Sequence, residues 1–177
     1  MLALNGGTPI RRVGHWPTWP VHTPETVKAL EDVLKSQRWS IAGVYVGQPT
    51  RERQFTEQWA AYNGVKHAVA TTNGSSALLI ALEALDVGAG DEVIVPALTW
   101  IAPATAVLNV NATPILVDVD PQTFCLDTKK VREAITPRTK AILAVHLYCS
   151  MVHMDELLTI ANAHHVPVIE DCAQSHG

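Results

Sequence analysis

Cysteine is scarce in this sequence: Cys125, Cys149 and Cys172 are odd in number and widely spaced. Such a set does not make a disulfide framework and implies free thiols in a reducing, cytoplasmic compartment. An excess of positive charge is lacking too. Thirteen basic residues face seventeen acidic ones, for a net charge of −4 with no basic stripe, which excludes nucleic acid as a partner. No apolar run is long enough for a membrane. The longest candidate, Val93–Val110, is interrupted by Pro96, Thr99, Pro103, Thr105 and Asn109. It falls short of the roughly 20 apolar residues of a spanning helix and is expected to be buried core. The opening MLALNGGTPIRR has neither the basic start nor the apolar centre of a secretory signal. Nucleotide fingerprints are missing: there is no GxGxxG, and no lysine follows the glycine of TTNGSS. What is present, 47% hydrophobic residues over 177 positions, is the composition of a globular core.

Residues 1–65 read as an N-terminal arm followed by helices. Asn5-Gly6-Gly7-Thr8-Pro9 is irregular. HWPTWP (His15–Pro20) is expected to be extended, anchored by its rings on its own domain or a partner subunit. Thr23 caps a predicted helix over Glu25–Ser36, with Pro24 at its first position and Val27, Leu30, Val33 and Leu34 on one face. Trp39–Gly43 breaks that pattern. Glu52–Tyr62 is a second predicted helix, whose Phe55, Trp59 and Tyr62 are expected in the core, and Asn63-Gly64 ends it.

From residue 66 to 177 the rhythm becomes strand, helix, strand. Strands are predicted at His67–Thr72, Glu92–Ala97, Pro114–Asp120, Ala141–Tyr148 and Val166–Asp171. Helices are predicted at Ser75–Asp86, Ile101–Asn109, Thr128–Ile135 and Met154–His164. Strands that are apolar throughout and joined by helix-length connections imply a parallel sheet covered on both faces.

Ligands of such sheets sit outside the carboxyl ends of the strands, so the residues following each strand carry the functional signal. After the first comes Thr72-Asn73-Gly74-Ser75-Ser76, opening a helix. Free N–H groups, a glycine and two hydroxyls suit an anion, although an ordinary helix cap reads the same way. After the second comes Trp100, a plate for a planar ring or a piece of core. After the fourth come His146, Tyr148, Cys149 and His153, with Asp171 and Cys172 nearby; their intervals match no zinc pattern, and no metal is expected. After the fifth, in PVIEDCAQSHG, come Glu170, Asp171, Gln174, Ser175 and His176, a carboxylate with a neighbouring amide on rigid backbone. Anion cradle, aromatic plate and carboxylate at one edge form the set that pyridoxal phosphate requires.

The stretches TTNGSSALLIALEAL, GDEVIVPALTWIAPATAV, PILVDVDPQTFCLD, AVHLY and VIEDCAQSHG resemble the sugar and cyclitol aminotransferases of the DegT/DnrJ/EryC1/StrS type, from about Trp16 to Gly177. HWPTWP, WSIAG and LTWIAPATAVLNVNATP are most similar to glutamine-dependent aminotransferases acting on 2-deoxy-scyllo-inosose or scyllo-inosose in aminoglycoside pathways. The resemblance implies the three-layer parallel-sheet large domain of fold-type-I pyridoxal-phosphate transferases, incomplete at the C-terminus, with residues 66–177 as its N-terminal part. It implies that Asp171 pairs with the pyridine nitrogen, Gln174 bonds the ring hydroxyl, Trp100 stacks on the ring, and Ser75 with the Gly74 and Ser76 backbone holds the phosphate. Cys149 departs from the family, where glycine is usual; at a positive φ it would carry strain that glycine does not.

The resemblance further implies a homodimer and amino transfer from glutamine to a keto-cyclitol, with a nucleotide-linked keto-sugar as the alternative substrate. A lysine-less binding relative and a nucleotide-binding domain of another class are the other readings. The catalytic lysine of the family lies beyond these residues. Lys66 and Lys140 precede strands, Lys129 and Lys130 begin a surface helix, and Lys28 and Lys35 lie on a polar helix face, so none of the six is expected to replace it. The chain alone is therefore expected to be inactive. In the sheet that the resemblance implies, His67–Thr72 lacks a direct strand partner and the last strand is an open edge, so the chain is also expected to be marginally stable and prone to association.

Overall fold

Strand β1 (Glu92–Pro96) is buried at every residue and lies inside the sheet. The computed structural model describes residues 1–11, 14, 17–39, 47 and 49–176. They fall into two compact units, Met1–Ala68 and Val69–Gly177.

In the second unit β1 pairs in parallel with β2 (Thr113–Val117) on one side and β3 (Thr139–Val145) on the other, and β3 pairs in parallel with β4 (Val168–Asp171). The order is β2-β1-β3-β4. Side chains alternate across the strands, so each strand feeds two cores. Val93, Val95, Ala141, Leu143 and Val145 pack with Leu78 and Leu82 of α3 (Gly74–Ala84) and Val107 of α4 (Ala102–Asn109). Ile94, Ile142 and Ala144 pack with Val131 of α5 (Thr128–Ala134) and Leu157 of α6 (Met154–Ala163) on the other face. The result is the expected three-layer α/β arrangement. At the amino ends, buried Glu92 ties β1 to the turn before β3. It accepts from Thr136 Oγ1 at 2.5 Å and Arg138 Nε at 2.9 Å, with a second Arg138 contact.

Three strand expectations are corrected. His67–Thr72 forms no strand, because a strand exists only through lateral pairing and no described residue pairs with it; Val69 is 77% exposed. The strand expected to reach Asp120 ends at Val117. Asp120 Oδ1 accepts from the N–H groups of Gln122 and Thr123, folding a turn, and Val119 keeps only an isolated bridge to Leu126. The strand expected to reach Tyr148 ends at Val145 and is followed by a 3-10 turn over Leu147–Cys149.

In the first unit, α1 (Pro24–Ser36) is capped by Thr23, whose hydroxyl accepts from Thr26 N–H at 3.3 Å. Helix α2 (Arg51–Tyr62) carries the aromatic row. Phe55 and Trp59 lie 5.8 Å apart, as do Trp59 and Tyr62. These rings are not core: Phe55 and Tyr62 are more than half exposed, and so are Leu30 and Leu34 of α1. Helical spacing collects such residues on one face without saying what covers it. Trp19 is 88% exposed, so its ring is anchored on none of the described residues. His15, Trp16 and most of the Trp39–Gly43 stretch lie outside the described residues.

Candidate functional site

The carboxyl end of β4 places two adjacent carboxylates on opposite faces. Ile169 packs into the α3–α4 core and Val168 into the α5–α6 core. By the same alternation Asp171 faces the α3 side and Glu170 the other. Asp171 is half-buried, and its Oδ1 accepts from Ala173 N–H at 3.0 Å. Across from it α3 begins. Asn73 caps the helix, its Oδ1 accepting from Ser76 N–H at 2.9 Å, while Thr72 and Ser76 hydroxyls lie 3.4 Å apart. The N–H groups of Gly74 and Ser75 carry no hydrogen bond from the described residues. Free donors at the positive end of a helix dipole favour an anion. Gly74, Ala77, Ile169, Asp171, Cys172 and His176 line one cleft of about 460 Å³.

Gln174 is tied to the end of β3. Its Oε1 accepts from Tyr148 N–H at 2.6 Å, which leaves its amide NH2 as the free donor. The turn that presents this N–H is left-handed at two consecutive non-glycine residues, Tyr148 (φ 54°) and Cys149 (φ 61°). The positive φ that the glycine-for-cysteine departure raised is therefore real. Trp100 follows β1 at the same edge, 75% exposed and outside the cleft. Its neighbour Thr99 holds a buried hydroxyl with no partner among the described residues.

His146, fully buried, closes the other face of this edge. Its Nδ1 accepts from Val152 N–H at 3.2 Å and its Nε2 lies 3.0 Å from Glu170 Oε2. Of the cysteine and histidine residues weighed as metal ligands, only His146 and Cys172 share a group, together with Glu170; their donor atoms lie within 4.8 Å of one another. Burial pushes the Cys172 thiol above its ordinary range. The Ser175 hydroxyl works against that shift, and the Glu170 and Asp171 charges add to it.

The fold thus joins Gly74 and Asp171 in one cleft and binds Gln174 to the neighbouring turn. Ser75 is exposed at the helix start, Ser76 has its N–H occupied by Asn73, and Trp100 stands apart. Lys140 sits near the amino end of β3, away from this edge, and Lys129 and Lys130 open α5 on the face opposite Asp171. Of the two hydrogen-bonded features here, the ordinary helix cap weighed at Thr72–Ser76 is Asn73, and the His146–Glu170 pair was missed by sequence reasoning. Period-two alternation over Val168–Asp171 was the available signal for the second.

The profile described as the DegT/DnrJ/EryC1/StrS aminotransferase family matches residues 20–177. The chain belongs to this family. As a family member it is 52% identical over 177 residues to an L-glutamine:2-deoxy-scyllo-inosose aminotransferase of Micromonospora echinospora, covering all of this chain and 42% of that protein. It is 51% identical to an L-glutamine:scyllo-inosose aminotransferase of Streptomyces griseus, over 99% of this chain and 41% of the relative. The crystal structure of NtdA from Bacillus subtilis with bound cofactor PMP superposes with a TM-score of 0.78 at 36% identity, over 97% of this chain and 40% of that one. The chain thus spans about two fifths of the length of the relatives it matches. No described helix is long and apolar enough to cross a membrane.

Proposed function

We propose that this chain supplies the cofactor cradle of a pyridoxal-phosphate aminotransferase that moves an amino group from glutamine to a keto-cyclitol, 2-deoxy-scyllo-inosose or scyllo-inosose. The observation that carries this reading is the single cleft lined both by Gly74, whose N–H is free at the start of α3, and by Asp171. These are the two poles of the cofactor: a dianionic phosphate and a pyridine nitrogen. The relatives' names supply the donor and the acceptor.

In this reading Gly74 and Ser75 N–H and the Ser75 hydroxyl hold the phosphate. Ser76 contributes its hydroxyl, since Asn73 takes its N–H. Asp171, with one oxygen fixed by Ala173 N–H, keeps a proton on the pyridine nitrogen with the other. The Gln174 NH2 donates to the ring hydroxyl oxygen, because its carbonyl is already engaged by Tyr148. Trp100 stacks on the ring. Bound in this way, the cofactor supplies an electron sink for the amino donor's α-carbon. Residues 66–177 belong to the cofactor domain, residues 1–65 form an arm and helices, and the enzyme works as a cytoplasmic homodimer. The three free cysteines support a reducing compartment.

None of the six lysines is proposed as covalent anchor, so the 177 residues alone bind the cofactor reversibly and do not turn over. Borohydride reduction of the protein with pyridoxal phosphate, followed by peptide mapping, tests this. The expected result is no stoichiometric adduct. One adduct on a single lysine would refute it.

A further inference from the structure

His146 is the only fully buried histidine among the described residues, and every polar atom that it offers toward β4 is engaged. Its backbone N–H donates to Asp171 O at 3.2 Å. Its Nδ1 receives Val152 N–H, and its Nε2 meets Glu170 Oε2 at 3.0 Å. A neutral imidazole has one N–H. Since Nδ1 is used as an acceptor, the proton sits on Nε2 and is donated to the Glu170 carboxylate.

The same tautomer decides between two roles for the group of His146, Glu170 and Cys172. A ligating histidine turns one lone pair to the metal and donates its other N–H to an acceptor. Here the nitrogen away from the group faces a donor, the Val152 N–H, and the nitrogen within the group holds the hydrogen. The polarity is the reverse of what a metal needs.

We infer that His146 and Glu170 are positioning residues for Asp171. Glu170 is pinned to the ring on the α5–α6 face, and strand alternation then turns Asp171 to the α3 face, where Gly74 lies. The bond from His146 N–H to Asp171 O fixes the Asp171 carbonyl along the strand. Two adjacent carboxylates thus divide the work: one is spent on a buried imidazole so that the other has a single orientation. The inference rests on the reading of Asp171 as the cofactor's partner.

Ala173 N–H, which donates to Asp171 Oδ1, reports the position of that carboxylate without cofactor. Glu170 is half-exposed, so its variants fold more readily than those of His146. Glu170→Ala removes the acceptor of Nε2–H, while Glu170→Gln keeps a carbonyl there. Hydrogen exchange at Ala173 should quicken about tenfold in Glu170→Ala, the low end of the range for losing one hydrogen bond to a charged group, and stay near wild type in Glu170→Gln. Pyridoxal phosphate affinity should follow the same order. Nitrogen-15 spectra of the His146 ring should show hydrogen on Nε2, and zinc alone should not bind.

Unchanged Ala173 exchange in Glu170→Ala overturns the inference. So does hydrogen on Nδ1, or stoichiometric zinc binding lost in Cys172→Ser. If the wild-type chain binds no pyridoxal phosphate, the proposed function fails, and the exchange and ring spectra still decide whether His146 and Glu170 set Asp171.

Discussion

Replacing Cys149 by glycine should stabilise the protein. Cys149 sits at φ 61° directly after Tyr148 at φ 54°, and its side chain is exposed, so little packing is lost with it. A left-handed conformation costs a residue with a Cβ about 1–2 kcal/mol, and glycine escapes that cost. Glycine also makes the unfolded chain more flexible, which takes back about 0.5–1 kcal/mol. The net gain is about 0.5–1 kcal/mol, which for a chain of this size raises the melting temperature by about 1–4 °C. Cys149→Ala keeps the strain and should melt near wild type, and the β-branched Cys149→Val should melt below it. Thermal unfolding followed by circular dichroism measures the series. A Cys149→Gly protein that melts at or below Cys149→Ala would refute the argument, since relief of the left-handed position should exceed what glycine's unfolded-state freedom takes back.

Two further outcomes follow from burial and charge. Leu157, on the buried face of α6, should cost about 2–5 kcal/mol on change to alanine, while the same change at its half-exposed neighbour Leu158 should cost far less; urea unfolding compares them. Hydrogen bonds from Thr136 and then Arg138 hold the Glu92 carboxyl below the usual glutamate range. A lowered folded value adds stability that is present above the unfolded value and lost as pH falls through the folded one. Glu92→Gln should therefore destabilise at pH 7 and approach wild type in strong acid, and equal destabilisation at both would contradict the assignment.

The parts of the fold legible in the sequence were those written in local pattern. Apolar runs marked β1, β3 and β4, and the placement of Thr23 before Pro24 marked the start of α1. The rest depended on partners distant in the chain. His67–Thr72 has strand composition, but only pairing makes a strand. Phe55, Trp59 and Tyr62 have the spacing of a buried helix face, and spacing cannot name what lies opposite. The site was legible as far as chemistry concentrated at strand ends: Gly74, Asp171 and Gln174 were visible there. The choice of Asp171 over Glu170 as the residue toward the cofactor came from the family resemblance alone, although alternation along β4 carries that information. The Tyr148–Gln174 bond spans 26 positions and joins two loops, and no local pattern announces it.

The central claim is that Asp171 and the start of α3 hold opposite ends of one cofactor, and titration with pyridoxamine phosphate tests it most directly, because this form cannot bond to a lysine. Wild type should bind saturably. Asp171→Asn should weaken binding about 10- to 150-fold, the loss of one charge-assisted hydrogen bond of about 1.5–3 kcal/mol. Binding that is equal in both proteins would contradict the account.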